Sequence, residues 1–173
     1  MSEAQASEDP HWRFALELYS RSGVAKACLL LQNRLGVDVN VLLIALYAAT
    51  ERGLKVGPEE IAALDRAVAP WRTTAVAPLR SIRCALKSFS DGPRPEDVQT
   101  LRGEVQKLEI ESERLAQALL AVAVSKFSIG GGDRAAAVLR TTLAHYAPNA
   151  TLDYETQQAS WIIRDAVESN KYV

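Results

Sequence analysis

Cysteine, histidine, methionine and large aromatic side chains are all scarce in this 173-residue chain, which has two Cys, two His, one Met and three Phe. Two cysteines, Cys28 and Cys84, cannot build a secreted disulfide framework, and so few Cys and His do not compose a zinc site. Charge is neither high nor one-sided: 24% of residues are charged and the formal net charge is -1. With 9 Gly and 7 Pro as well, global disorder and fibrous repeats are excluded. The near-neutral balance argues against a dedicated nucleic-acid binder. Long apolar runs are also missing. The most apolar windows, 41–49 and 115–124, fall short of the roughly 18 to 20 residues that span a bilayer. Residues 1–9 are acidic, lack the apolar stretch of a secretory signal and read as a disordered leader. Two unpaired cysteines suit a reducing interior, so a cytoplasmic location is expected.

Alanine and leucine are abundant, at 27 and 21 residues, and both favour helix. The apolar spacing predicts an all-α fold: a single domain over 10–173 with seven or eight helices. Asp9-Pro10 marks a helix start, with Trp12, Leu16 and Tyr19 on the apolar face that Phe14 and Leu18 widen. Val24, Cys28, Leu31 and Leu35 form a second helix that Gly36 stops. Asp38 is placed to cap a third, Val39 to about Arg52, which is apolar nearly all round and therefore central. Gly57-Pro58-Glu59-Glu60 starts the next. Pro78 either starts a helix over Leu79–Ser88 or kinks a longer one from Thr73.

Residues 91–95, Asp-Gly-Pro-Arg-Pro, are the strongest linker signal. Beyond them one long helix is predicted over about 95–126. Val98, Leu101, Val105, Leu108, Ser112, Leu115, Leu119 and Val122 make a heptad a/d seam there, and the seam offers a homodimer contact. Gly130-Gly131-Gly132-Asp133 reads as a helix stop and cap, since it lacks the Lys-Ser/Thr of a phosphate loop. The last helix, about 153–169, is expected to turn Trp161, Ile162 and Val167 inward.

The net of -1 is a cancellation. Residues 12–90 carry 11 Lys/Arg against 6 Asp/Glu, and residues 91–173 carry 9 against 12. Arg72, Arg80, Arg83 and Lys87 stand in a stretch, 71–90, without an acid. The last three share one helical face. This basic face either folds back on the acidic flank of the heptad helix, with Glu104, Glu109, Glu111 and Glu113, or binds an anion or partner, or is merely solvated.

No catalytic grouping emerges around His11 or His145, and no metal or cofactor is expected. Both cysteines read as small buried apolar residues. Asp38 and Asn40 interrupt the most apolar part of the chain. Facing an arginine across a cavity, they would form a polar pocket in an apolar bundle.

The block Phe14-Ala15-Leu16-Glu17-Leu18-Tyr19, with Gly23-Val24, Ala27-Cys28-Leu29, Leu31-Gln32 and Gly36-Val37-Asp38-Val39-Asn40-Val41-Leu42-Leu43, resembles the start of an uncharacterised bacterial family of short cytoplasmic proteins. Pro78-Leu79-Arg80-Ser81-Ile82-Arg83, with Leu86-Lys87, is similar to that family's second block. The resemblance covers about residues 12–90. It implies bacterial origin and a helical fold with no activity attached, and it sets Asp38, Asn40, Arg80 and Arg83 inside the matching blocks.

The expected function is therefore that of a non-enzymatic adaptor or regulator binding a protein partner through the basic face. The other reading is a small-molecule, anionic-ligand or enzymatic site between the helix at 38–52 and the helix at 79–88. The candidate residues for either are Asp38, Asn40, Arg72, Arg80, Arg83 and Lys87.

Overall fold

Helix α3, Val39–Thr50, is buried along nearly its whole length, and the other helices are arranged around it. In the computed structural model, which describes residues 9–89, 94–130 and 134–169, Asp38 Oδ1 accepts from the backbone N–H groups of Asn40 (2.8 Å) and Val41 (3.2 Å). That cap satisfies two donors that the helix leaves open. Ahead of α3 come α1, Pro10–Ser20, and α2, Val24–Leu35. Gly36 ends α2 at φ 68°, a left-handed conformation that a Cβ disfavours.

Helix α4, Pro58–Trp71, a π turn over Arg72–Val76 and α5, Ala77–Lys87, follow without a break. Pro78, expected either to start a helix or to kink a longer one, is the second residue of α5 in a helical run that continues from α4 through the π turn. Pro70 and Pro78 each lack an N–H, and between them the ladder widens, the Ala77 N–H bonding to Arg72 O five residues back. Then come α6, Pro95–Val124, α7, Ala135–Tyr146, and α8, Tyr154–Glu168, which Asp153 caps through Thr156 N (2.9 Å). Among the described residues these eight α-helices form seven continuous rods, an all-α bundle. The extended pairing among them is one isolated bridge, Leu54 to Ile129.

One apolar cluster runs from Ala15 through α3 to Val167. Helices α3, α4 and α5 all pack on α6, α7 lies against α3, and α8 lies along α2. No described helix is long and apolar enough to cross a membrane.

Four expectations are corrected. The inward face of α6 includes Val98, Val105, Glu109, Ser112, Gln117 and Leu120. Leu101, Leu108, Leu119 and Val122 of the seam are exposed, because the covered face starts on the a side at Val98 and shifts to Ala116, Gln117 and Leu120 in the second half of α6. Trp161 is exposed, and Ala159, Ile163 and Val167 take the inward positions of α8. Leu16 is exposed as well, about 100° around α1 from the buried Ala15 and about 200° from Leu18. Cys84 is exposed, unlike Cys28, since it sits 100° around α5 from the inward Arg83. Residues 1–8 of the expected leader at 1–9, the linker residues 91–93 and Gly131-Gly132-Asp133 lie outside the described residues.

Candidate functional site

The antiparallel contact of α5 with α6 brings the basic and acidic faces together. Arg80 Nη2 donates to Glu113 Oε1 at 2.7 Å and Arg80 Nε to Glu109 Oε1 at 3.2 Å. Arg83 grips the same Glu109 through Nε and Nη2. Burial raises the Glu113 carboxyl above its ordinary value, against the pull of Arg80. Burial also pushes the neighbouring Tyr19 hydroxyl up to about 12, with Cys28 and Glu113 adding to it. Lys87 is exposed and pairs with no carboxylate among the described residues.

Arg72, on the π turn, joins a second cluster. Its Nη1 reaches Asp38 Oδ2 (2.7 Å) and Asp65 Oδ1 (2.8 Å), so Asp38 caps α3 with one oxygen and binds the guanidinium with the other. Asp65 also accepts from Tyr146 Oη at 2.8 Å and faces His145 Nε2 at 3.0 Å. Burial alone would raise the Asp65 pKa, but the hydrogen bonds of His145, Arg72 and Tyr146, with the charge of Arg72, bring it below its ordinary value. Between the clusters the fully buried Gln117 donates to Asn40 O (3.0 Å) and Asn40 Oδ1 (3.2 Å).

Two concavities flank this polar strip. A cleft of about 390 Å³ lies between α1–α3 and the α5–α6 pair. Trp12, Leu16, Leu29, Leu43 and Ile110 give it apolar walls, while Tyr19, Arg80, Arg83, Glu109 and Glu113 make its polar edge. A second, of about 360 Å³, is lined by Asp38, Asn40, Asp65, Arg72, Arg80 and Tyr146 among others. Gln32, Val39, Asn40 and Arg80 line both.

Of the six candidate residues, Asp38, Asn40, Arg72 and Arg80 therefore meet at the second concavity, and Asn40, Arg80 and Arg83 at the first. Lys87 lines neither. The sequence reading had Glu109 and Glu113 only as flanking charges and missed Tyr19, Asp65, Tyr146 and Gln117. The heptad register marks Glu109 as facing a neighbour, whereas nothing in the local pattern marks Asp65 or Tyr146. Among the described residues no group of three or more His, Cys, Asp and Glu is placed to hold a metal ion.

Comparison with curated proteins and with solved structures yields no match. A family model described as "Protein of unknown function (DUF2390)" matches residues 10–120. That span extends past the two blocks at 12–90 to take in most of α6, including Glu109, Glu113 and Gln117. Every residue of the Arg80 and Arg83 cluster, with the walls of the larger cleft, lies inside the matched region, and the chain belongs to the DUF2390 family.

Proposed function

We propose that the protein binds a small amphipathic molecule, an apolar body with an anionic head, in the cleft between α1–α3 and the α5–α6 pair, and that it acts by binding rather than by catalysis. The observation that carries this reading is the cleft of about 390 Å³, with its apolar walls and two guanidinium groups at one edge. Small-molecule sites have this form: an apolar concavity with a few fixed polar groups. Arg80 and Arg83 use Nε and Nη2 on Glu109 and Glu113. Their Nη1 groups have no partner among the described residues. A carboxylate or phosphate head can take those donors without displacing Glu109.

A protein partner held by the basic face has weaker support. Arg80 and Arg83 turn toward α6, which leaves Lys87 as the cation of that face without a partner among the described residues. A cytoplasmic location belongs to this reading and is supported by the two free cysteines.

The test is titration with 1-anilinonaphthalene-8-sulfonate, an apolar ring system bearing a sulfonate. The expected result is saturable binding of one probe per chain. Leu29→Trp, which fills the cleft, and Arg83→Gln, which removes head donors, each weaken it roughly tenfold or more. Unchanged titrations in both variants, with native circular dichroism, reject the reading.

A further inference from the structure

The outer face of α6 carries apolar side chains that no described part of the chain covers. Leu101, Leu108 and Val122 are 54%, 59% and 64% exposed, and Leu115 is half-buried between them. These four recur every seven residues, so they line up as one stripe about 30 Å long at 1.5 Å per residue. Scattered apolar side chains on a surface need no explanation, but a continuous stripe does. The companion positions Val98, Val105 and Ser112 are turned into the fold, while Leu119 is exposed beside the stripe.

We propose that the occupant is α6 of a second copy, docked antiparallel about a two-fold axis that passes between residues 111 and 112. A two-fold contact requires that residue i meet residue j and that j meet i. This register satisfies the condition with apolar pairs throughout: Leu101 lies opposite Val122 of the second copy, and Leu108 lies opposite its Leu115. The same register sets Asp97 opposite Lys126.

Charge selects the direction. The exposed acids Asp97, Glu104 and Glu111 of the first half of α6 are paired within the helix, with Arg94 (3.0 Å), Lys107 (2.8 Å) and Arg114 (2.6 Å), and from Leu115 to Lys126 the single charged residue is Lys126. A parallel pair would set the two Lys126 side chains together at one end, about 40 Å along α6 from both Asp97 carboxylates, whereas the antiparallel pair brings each Lys126 to an Asp97. In the antiparallel pair only Glu111 nears its copy, and Arg114 already neutralises it at 2.6 Å. Four apolar layers between two helices bury less than the roughly 1,200 Å² of a standard interface. The dimer is accordingly weak, with a dissociation constant on the order of 10 µM.

Sedimentation velocity on the full chain, from about 1 to about 300 µM, is the test. The expected result is a reversible monomer–dimer equilibrium. Leu108→Glu shifts it to monomer without changing the thermal melt, since that side chain is exposed. Asp97→Lys weakens the dimer roughly tenfold, because two attractive pairs become repulsive, and adding Lys126→Asp restores it. A chain that stays monomeric throughout, or a dimer indifferent to Leu108→Glu, overturns the proposal. Failure of the charge swap to rescue Asp97→Lys overturns the antiparallel register.

Discussion

Glu109 serves two arginines at once. Its carboxylate, 7% exposed, accepts from Arg80 at 3.2 Å and from Arg83 beside it. The arrangement makes α5 and α6 mutually dependent, because a carboxylate buried that far is unfavourable without cationic partners.

Arg80→Glu should therefore be severe. The substitution sets a third carboxylate against Glu109 and Glu113 and removes the guanidinium that joins them. Breaking a buried pair costs about 3–5 kcal/mol, which lowers Tm by about 10 °C in a chain of this length. Lys87→Glu, about two turns on and solvent-facing, should stay within about 0.5 kcal/mol. Urea unfolding of both variants checks the contrast. A stable Arg80→Glu protein would mean that the cluster does not hold the two helices together.

The Asp65 cluster gives the acid side of the stability profile its sign. The folded pKa of Asp65 lies below its ordinary value, because the hydrogen bonds of His145, Arg72 and Tyr146 outweigh the upward effect of burial. A depressed folded pKa stabilises above the unfolded value, near about 4, and that contribution fades as pH falls through the folded one. Asp65→Asn keeps the shape but loses the charge, so Arg72 retains only Asp38. Stability at neutral pH should drop by about 1–2 kcal/mol, and the loss on going from about pH 4 to pH 2 should flatten. Denaturant midpoints across that range read both effects.

Local signals carried the architecture well. The Asp38 cap, the Gly36 stop at φ 68° and the apolar run from Val39 to Ala49 are properties of neighbouring residues, and the structure has all three. The heptad pattern of α6 was equally plain, yet it could not tell an internal neighbour from an external one. Its a positions Val98, Val105 and Ser112 face α4 and α5, while Leu101 and Leu108 face outward. Arg80, Arg83, Glu109 and Glu113 were visible as opposed charges, though not as a shared grip on Glu109. The link from Asp65 to His145 and Tyr146 spans about 80 residues, and only the docking of α7 on α4 creates it. Chemistry assembled by docking leaves no local trace, so the concavities could be expected from Asp38 and Asn40 but not outlined.

Gly130 is fixed by close approach. A Cβ there would lie 2.7 Å from Lys55 Cβ and 3.0 Å from Lys55 Cα. The same contact carries the bonds Gly130 N to Gly53 O (3.1 Å) and Lys55 N to Ser128 O (3.0 Å). Gly130→Ala must push these segments apart, at a cost of about 1–3 kcal/mol. Amide hydrogen exchange should quicken at Lys55 and Gly130 while the α3 amides keep their relative protection. Unchanged exchange at Lys55 would show that the contact yields without cost.

The two thiols should differ sharply in reactivity. The thiolate is the attacking species. Burial pushes the Cys28 thiol up to about 12 and leaves it no access to solvent. Cys84 stands exposed on α5. At about pH 8 an aromatic disulfide reagent should titrate one thiol in the native chain and two in denaturant. Cys84→Ser should abolish the native titre, and Cys28→Ser should leave it intact. Any slow second phase then measures opening of the α2 core around Cys28, so its rate should rise with destabilising variants such as Arg80→Glu. A fast reaction at Cys28 in the unmodified native chain would contradict the burial of α2 against α3 and α8.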